Sequence, residues 1–379
     1  MKILVTGAKG FIGQNLIARL ENLKDEPNKP ESLHIEEIFA YDVDSNPTDL
    51  LAMTSKCDFV FHLAGVNRPE QPEDFMKGNF GFTSELLNAL DSQGNHCPVM
   101  ISSSIQAAQQ NDYGKSKRAG EDLMFEYGKK TGAKVMVYRF ANVFGKWSRP
   151  NYNSAVATFC YNIARGLPIT VNDPDVKLSL VYIDDLVEEM VFALLGQENR
   201  VESFCTVPTE HTVRLGTIAE LLYSFAKTRE DLSIPDQTDA FTRKLYATYL
   251  SFLPAGGLSY SLNMNIDGRG SFTELMRTPD RGQVSINVTK PGITKGNHWH
   301  HTKNEKFIVV SGAGVIKLRH LLTNEVAEYE VTGERLDVVE IPPGYTHQIT
   351  NTGTSDLVTV MWVNEPYEPG KPDTYFLEV

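Results

Sequence analysis

Three glycines near the start of the chain restrict its fold more than any other feature. Gly7, Gly10 and Gly13 lie in VTGAKGFIG, directly after the β-branched run KILVT, and Phe11 and Ile12 open an amphipathic helix pattern. Glycines at a strand–helix junction permit a tight turn and let the backbone approach a pyrophosphate, which the helix N-terminus then binds. The motif therefore predicts a dinucleotide site on the first strand and helix.

The residue after the second predicted strand bears on which dinucleotide binds. Asp42 follows the run EEIFAY, where a carboxylate accepts hydrogen bonds from a ribose diol and disfavours the extra phosphate of NADP. Lys9, inside the glycine loop, is placed to attract that phosphate. The residues alone leave NADPH and NADH both open.

The pattern of predicted secondary structure changes near residue 250. Residues 1–245 alternate short apolar runs with helical periods, which predicts βαβ units and a Rossmann-type, doubly wound parallel sheet. Residues 252–379 contain short strands between Gly, Pro and Asn turns, which predicts an all-β barrel of the jelly-roll type. The expected architecture is an α/β domain followed by an all-β domain, with the boundary near Pro254–Gly257.

Composition excludes some partners. The net charge of −12 argues against nucleic-acid binding, which needs clustered Lys and Arg. No apolar stretch approaches 18 residues, and no signal-peptide pattern follows Met1, so we expect no membrane span and no export. Four widely spaced cysteines without a CxxC pair predict reduced thiols in the cytoplasm.

A Tyr and a Lys four residues apart predict reductase chemistry. Tyr113 and Lys117 form YxxxK at the start of a predicted helix, so both side chains lie on one face. A nearby ammonium favours the phenolate, and such a Tyr exchanges a proton with a carbonyl or carbinol oxygen. The preceding strand ends in three serines, one of which is expected to hydrogen-bond the reacting oxygen: Ser102, Ser103 and Ser104.

The same spacing occurs twice more, in Tyr223…Lys227 and Tyr367…Lys371. Neither pair follows a predicted parallel strand, and ligands bind at the carboxyl ends of such strands. We interpret both pairs as chance.

Residues 1 to about 245 resemble the extended short-chain dehydrogenase/reductase family, which includes many nucleotide-sugar enzymes. The matching segments are TGAKGFIG, DFVFHLAG, GNFGFTSELLNA, ISSS, YGKSK, RFANVFG and LVYIDDLVE. The resemblance implies that Tyr113 is the acid/base, that Lys117 binds the nicotinamide ribose, and that Ser103 or Ser104 polarises the substrate. It also implies cofactor contacts at Leu63, Ala64, Gly65 and Asn79. The interval from serine to tyrosine is about ten residues, shorter than is usual in the family, so both serines stay candidates.

A set of histidines and one glutamate predicts a metal site in the second domain. His298 and His300 alternate along one predicted strand, Glu305 begins the next, and His347 returns from a third. Three imidazoles and a carboxylate suit zinc, and also iron, manganese, nickel or copper. His301 and His320 are expected to be exposed and outside the set.

The spacings resemble both motifs of the cupin family, from Gly292 to Gly312 and from Pro342 to Asn351. The leading glycine of the second motif, Gly333, lies farther from Pro342 than usual. The preceding segment DGRGSFTEL (Asp267–Leu275) resembles the entry of sugar-nucleotide 3,5-epimerase cupins. These resemblances imply a divalent metal and a sugar substrate.

The whole chain resembles a family of capsular polysaccharide enzymes in which these two domains are fused. The resemblance implies a homodimer that takes a UDP-linked 2-acetamido-2,6-dideoxy-4-hexulose, epimerises C3 in the cupin and reduces C4 with NADPH. Carbonyl chemistry demands this order, because the C4 ketone makes the C3 proton acidic. The base at C3 stays open among Tyr345, His301, Glu305 and a metal-bound hydroxide.

Two other interpretations remain. One is a reductase whose cupin is only a structural or dimerising module. The other is a nucleotide-sensing Rossmann protein without catalysis. A sensor has no need of Tyr113, Lys117 and the serines, so these residues favour an enzyme.

Overall fold

The computed structural model describes residues 1–26, 33–278, 280–368, 370 and 372–379. They form two compact units. The α/β unit comprises Met1–Tyr223 and Ala240–Pro254, and the β unit comprises Ser224–Asp239 and Ala255–Val379. The sequence predicted two contiguous domains, residues 1–245 and 252–379. In the structure, residues 224–239 belong to the β unit instead of the α/β unit.

The α/β unit alternates strands and helices as its sequence pattern predicts. Its strands are β1 Lys2–Thr6, β2 Glu37–Tyr41, β3 Phe59–His62, β4 Val99–Ser104, β5 Val135–Phe140, β6 Asn142–Phe144, β7 Lys177–Tyr182, β8 Arg200–Val201, β9 Phe204–Cys205 and β10 His211–Arg214. Its helices are α1 Phe11–Asp25, α2 Pro47–Thr54, α3 Glu73–Phe75, α4 Phe82–Ser92, α5 Asp112–Thr131, α6 Ala155–Ile163, α7 Ile183–Leu194, α8 Leu215–Asp231, which continues into the β unit, and α9 Ala240–Ser251. A π-helical turn, Met76–Gly81, precedes α4, and a 3₁₀ turn, Ile105–Ala108, precedes α5.

The main sheet has the strand order β2-β1-β3-β4-β5-β9-β8, and the pairs from β2 to β9 are parallel. The chain leaves β1 toward β2 on one side and continues with β3 on the other, so the topological switch point lies between β1 and β3. Ligands of open α/β sheets bind at the carboxyl ends of the strands at this point. A smaller sheet has the order β10-β7-β6. The Rossmann-type prediction is confirmed.

Two apolar cores enclose the main sheet. One joins α1 and α7 to one face through residues such as Leu16, Leu20 and Met190. The other joins α2, α4 and α5 to the opposite face through residues such as Leu86 and Met124. Burial of both faces explains why the strand sequences are continuously apolar.

The β unit is antiparallel, which confirms the all-β prediction. Its strands are β11 Met264–Asp267, β12 Gly270–Thr278, β13 Gly282–Thr289, β14 Thr294–Trp299, β15 Glu305–Ser311, β16 Ala313–His320, β17 Val326–Thr332, β18 Val338–Ile341, β19 Tyr345–Asn351, β20 Leu357–Val363 and β21 Tyr375–Phe376. A 3₁₀ turn, Ala255–Gly257, precedes them. They form a six-stranded sheet, β11-β12-β13-β20-β15-β18, and a five-stranded sheet, β17-β16-β19-β14-β21.

The interior of the β unit is divided by polarity. A buried apolar cluster joins strands of both sheets through residues such as Phe307, Ile316 and Ile349. Strand β13 instead turns a buried polar row inward, made of Gln283, Ser285, Asn287 and Thr289. Polar groups in a protein interior are usually explained by partners or by a ligand.

No helix among the described residues has both the length and the apolar character needed to cross a membrane.

Candidate functional site

The loops after β1 and β3 approach each other closely at the switch point. Gly7 has φ +70°, and a Cβ on it would lie 2.6 Å from the backbone nitrogen of Ala64. A Cβ on Gly13 would lie 2.2 Å from the carbonyl oxygen of Gly7. Only glycine fits at these two positions, so the backbone stays free to border a ligand.

A cavity of about 1250 Å³ lies over this point. The N-terminus of α1 borders it, and the first turn of α1 carries no acidic side chain that would compete with an anion. The cavity is lined by all but one of the residues predicted to bind the cofactor: Gly7, Lys9, Gly10, Phe11, Ile12, Gly13, Asp42, Leu63, Ala64, Gly65, Tyr113 and Lys117. Its volume and its glycine cradle fit a dinucleotide.

Asn79 is the exception. It is buried in the π-helical turn and is not part of the cavity lining. Its Oδ1 accepts from the Val66 amide at 2.9 Å, and its Nδ2 donates to Ser116 Oγ at 3.0 Å. Asn79 therefore ties the loop after β3 to α5, and the structure places it behind the site.

The carboxylate of Asp42 is already bonded to the backbone. Its oxygens accept from the amides of Lys9 at 2.7 Å and Val43 at 2.8 Å, which ties β2 to the glycine loop. The ammonium of Lys9 forms an ion pair with Asp44, a residue that the motif analysis did not identify. The group expected to attract a 2′-phosphate is thus held by a neighbouring carboxylate.

Tyr113 lies in the first turn of α5, half-buried at the cavity. Burial raises the pKa of its phenol, and a hydrogen bond with Ser104 opposes that rise. The expectation that a nearby ammonium lowers this pKa does not describe the free protein, because burial dominates. The phenol keeps its proton at neutral pH, as a donor to a carbonyl oxygen requires.

The three serines of β4 have different partners. Ser102 Oγ donates to the carbonyl of His62 at 3.4 Å, and Ser103 Oγ donates to Glu121 Oε1 at 2.5 Å. Ser104 Oγ accepts from the Gln106 amide at 3.2 Å and bonds Tyr113. Of the two candidates, Ser104 is therefore the serine placed beside the phenol, and Ser103 is committed to a buried carboxylate.

Lys117 lies one helical turn after Tyr113. Its Nζ is 5.9 Å from the centre of the Tyr113 ring and donates to the carbonyl of Ser102 at 3.1 Å. Burial lowers the pKa of Lys117 to about 8, against the opposing effect of Glu121. The ammonium is thus held at the carboxyl end of β4.

The predicted metal ligands converge inside the β unit. Each of His298, His300, Glu305 and His347 offers a ligand atom, and these atoms lie within 4.8 Å of one another. Glu305 comes from the six-stranded sheet, and His298 and His347 pair directly across β14 and β19 of the other sheet. His347 Nε2 and His300 Nε2 lie 3.2 and 3.4 Å from Glu305 Oε2.

Four buried atoms of this cluster have no hydrogen-bond partner among the residues that the structure describes: His300 Nε2, Glu305 Oε2, His347 Nδ1 and His347 Nε2. Burial lowers the pKa of His347 to about 3, so its imidazole is neutral and available as a ligand. Buried polar atoms without partners are costly, and a divalent cation would satisfy them. The donor set fits a metal.

The chain orients two of these ligands. His300 Nδ1 lies 2.5 Å from the carbonyl oxygen of Asp373, which leaves Nε2 facing the cluster. The carboxylate of Asp373 accepts from the amides of His301, Thr302 and Lys303. A bulge between Gly296 and His298 shifts the register so that His298 pairs with His347.

The polar row of β13 lies beside the cluster. Gln283 and Glu305 both pair with Val363, one from each side, so they share the inner face of the sheet. Asn287 pairs with Thr359, whose buried hydroxyl has no hydrogen-bond partner. The row offers groups that suit sugar hydroxyls. Sequence reasoning missed it because QVSINVT has the alternation of any half-buried strand.

Other predicted residues lie outside the cluster. His301 is exposed, but His320 is half-buried, because its Nδ1 accepts from the amides of Leu322 and Thr323. Tyr345 follows the same alternation as His347 and packs against the apolar cluster. Asn351 bonds the backbone of its own turn.

Among the described residues of the additional YxxxK pairs, none borders the cavity. Tyr223 is 47% exposed and lies on α8. Tyr367 is exposed in the β unit, and Lys371 lies outside the described residues.

Comparison with known proteins agrees with this arrangement. Residues 3–203 match the NAD dependent epimerase/dehydratase family, and residues 265–375 match the polysaccharide biosynthesis C-terminal domain. The chain belongs to the NAD dependent epimerase/dehydratase family. Over its full length it is similar to the capsular polysaccharide assembling protein CapF from Staphylococcus aureus, with 49% identity over 100% of both chains and a TM-score of 0.92.

Two further proteins are similar to this chain, one over its full length and one over the α/β fold. A Pseudomonas aeruginosa protein named UDP-2-acetamido-2,6-beta-L-arabino-hexul-4-ose reductase is 44% identical over 100% of this chain and 99% of its own length. A Bacillus cereus UDP-glucuronic acid 4-epimerase in complex with NAD is 20% identical, with a TM-score of 0.55 over 66% of this chain and 96% of its own. The latter likeness shows the fold alone.

Proposed function

We propose that this protein converts UDP-2-acetamido-2,6-dideoxy-β-L-arabino-4-hexulose in two steps, C3 epimerisation and then NADPH-dependent reduction at C4. The product is the corresponding talo sugar, a precursor of UDP-N-acetyl-L-fucosamine for capsule synthesis. The substrate class comes from the name of the P. aeruginosa relative, which matches the whole chain. The observation that carries the reductase step is the convergence of Tyr113, Ser104 and Lys117 at one end of the cavity.

In the reductase step, a bound nicotinamide supplies the hydride that C4 receives. Tyr113 donates its phenolic proton to the C4 oxygen, which becomes the hydroxyl of the product. Ser104 holds the same oxygen by a hydrogen bond. The Lys117 ammonium stabilises the phenolate that the proton leaves behind and binds the nicotinamide ribose.

The proposed cofactor is NADPH rather than NADH. Lys9 borders the cavity beside the second strand, and Asp42 is committed to backbone amides of the glycine loop. A 2′-phosphate would compete with Asp44 for the Lys9 ammonium.

For the epimerase step we propose that the β unit is a cupin-type centre holding one divalent metal, zinc by preference. His298, His300, Glu305 and His347 would hold the ion, which acts as a Lewis acid when bound. A basic group of the β unit would accept the C3 proton, and a proton would then be returned to the opposite face of C3. The polar row Gln283, Ser285 and Asn287 would bind sugar hydroxyls next to the centre.

The C4 ketone dictates the order of the two steps. Deprotonation at C3 needs the adjacent carbonyl, which reduction removes. We therefore propose that residues 252–379 act first and residues 1–245 second, in a cytoplasmic homodimer. The four cysteines are free, in keeping with a reducing compartment.

Proton exchange in deuterated water tests the epimerase step apart from the reductase step. The full-length, metal-loaded protein is incubated with the 4-keto sugar without nicotinamide, and C3 is followed by NMR. We expect deuterium at C3, and then NADPH oxidation when the cofactor is added. Reduction without any C3 labelling would favour a single-activity reductase with a structural or dimerising β unit. If neither C3 labelling nor NADPH oxidation is observed, the proposal as a whole is contradicted.

A further inference from the structure

The carboxylate of Glu121 lies beneath the Tyr113–Lys117 pair and belongs to no motif that identified the site. Tyr113, Lys117 and Glu121 are spaced four residues apart on α5, so they form a row on one face of the helix. Glu121 is 1% exposed. The row therefore continues from the cavity into the interior of the α/β unit.

Glu121 binds both strands on which α5 packs. Its Oε1 accepts from Ser103 Oγ on β4 at 2.5 Å and from Arg139 Nε on β5 at 2.9 Å. Its Oε2 accepts from Arg139 Nη2 at 2.6 Å. The ring of Phe204 covers the guanidinium at 3.9 Å from its centre. One carboxylate thus fixes the helix that carries Tyr113 to the strand that ends in Ser104.

Stability alone does not account for this charge. A buried ion pair is often no more stabilising than apolar residues of similar volume, since both charges lose their hydration. A neutral amide at position 121 would still accept the hydrogen bond from Ser103. What only the carboxylate provides is a negative charge one turn from Lys117.

The charged and titratable groups around Lys117 show why the negative charge of Glu121 affects its protonation. Tyr113 and Glu121 face it from α5, and the Ser102 carbonyl from β4. His62 faces it from β3 and is neutral, because burial, followed by the charge of Lys117, lowers its pKa to about 3. Arg139 on β5 is bound to Glu121 itself. Burial lowers the pKa of Lys117, and the charge of Glu121 opposes that effect.

We propose that Glu121 is a positioning residue of the reductase, which holds α5, the strand end at Ser103–Ser104 and the Lys117 ammonium in the arrangement that Tyr113 requires. This inference rests on the proposed function, since it assigns Lys117 a role as an ammonium. It goes beyond that function by making a residue outside the cavity control the pH range of reduction.

The sign of the pH effect follows from the charges. Reduction needs Lys117 protonated, so activity is lost as pH rises through its pKa. Removing the charge of Glu121 lowers that pKa further, and the alkaline limb of the pH profile moves to lower pH. A shift of about one unit reduces kcat about fivefold at pH 8 and less than about twofold at pH 6.5.

The test compares Glu121→Gln with the wild type in the full-length protein, with UDP-2-acetamido-2,6-dideoxy-β-L-arabino-4-hexulose and NADPH between about pH 6 and pH 9. Glu189→Gln is the matched control. Glu189 is also buried and accepts from Tyr138 at 2.7 Å and Asn199 at 2.6 Å, but it lies on α7 and does not border the cavity. We expect the alkaline limb to move only in Glu121→Gln, with a change mainly in kcat.

Two further variants keep the inference testable if Glu121→Gln does not fold. Glu121→Asp retains the charge and should retain the wild-type limb. Arg139→Gln leaves the carboxylate without its cation and should move the limb to higher pH. An unshifted limb in a folded Glu121→Gln, or in a folded Arg139→Gln, overturns the inference. If the wild-type protein does not reduce the sugar at all, the proposed function fails instead.

Discussion

The polar cluster around Tyr113 and the polar cluster around Glu305 differ in how many of their side-chain atoms have hydrogen-bond partners within the protein. Around Tyr113, the hydroxyls of Ser103 and Ser104 and the ammonium of Lys117 all have protein partners. Around Glu305, four buried atoms have none. The first cluster is held in place by the fold, and the second has unpartnered buried atoms that a divalent cation would satisfy. One chain thus contains a cluster whose polar groups are bonded to each other and a cluster whose polar groups are not.

The largest expected effect is on the rate of reduction, in the cluster around Tyr113. Tyr113→Phe keeps the ring and removes the proton donor, so reduction should fall by about 10²- to 10⁴-fold while the fold is retained. NADPH absorbance measures the rate. C3 exchange in deuterated water should be unchanged, which separates the two clusters. Tyr223→Phe is the control. A rate within a few-fold of the wild type would remove Tyr113 from the mechanism.

The unsatisfied cluster should lose its metal when one ligand is removed. Protein purified without added metal should hold about one divalent ion per chain, and His347→Ala should hold less than about a tenth of that. Elemental analysis decides, with His320→Ala as a control because His320 lies outside the cluster. Full retention of metal in His347→Ala would place the ion elsewhere.

A smaller effect should follow from loosening the support of the second cluster. Asp373→Ala removes the acceptor of three backbone amides beside His300, so metal affinity should fall by about 10- to 100-fold. Competition with a chelator measures the affinity. Asp356→Ala is a matched control, since Asp356 forms an ion pair with Lys290 and is not a member of the cluster. Unchanged affinity would make the Asp373 contacts unimportant for binding.

The smallest effect concerns the cofactor end of the first cluster. Lys9→Ala removes an exposed cation, so kcat/KM for NADPH should fall by about two- to fivefold and that for NADH should hardly change. Asp44→Asn frees Lys9 and should act in the opposite direction. A wild-type preference for NADH would mean that Asp42 governs the pocket.

Local patterns predicted most of the fold and of both clusters. The glycine spacing and the strand–helix alternation identify β1, α1 and the cavity, because each depends on neighbours in the sequence. The choice between the two candidate serines could not be made this way. Ser103 and Ser104 are equivalent in ISSS until Glu121, eighteen positions from Ser103, takes one of them.

Long-range packing accounts for the remaining differences. Asn79 matches a motif, but the π-helical turn directs its amide to Val66 and Ser116. Helix α8 begins in the first unit and ends at Asp231, but residues 224–239 group with the second unit. No local period encodes either outcome.

The bulge at Gly296–His298 has a consequence for how the metal cluster tolerates change. If Asn297 were paired in the ladder instead of bulging out of it, continued pairing from Gly296 and Gln348 would place His298 opposite Thr346, on the other face of the sheet. The bulge therefore fixes the register, and with it the face of the sheet on which His298 lies. Deleting Asn297 would keep His298 opposite His347, so the inward direction of His298 depends on Asn297 staying out of the ladder. Along this strand, the presence of one unpaired residue decides which face of the sheet a candidate ligand occupies.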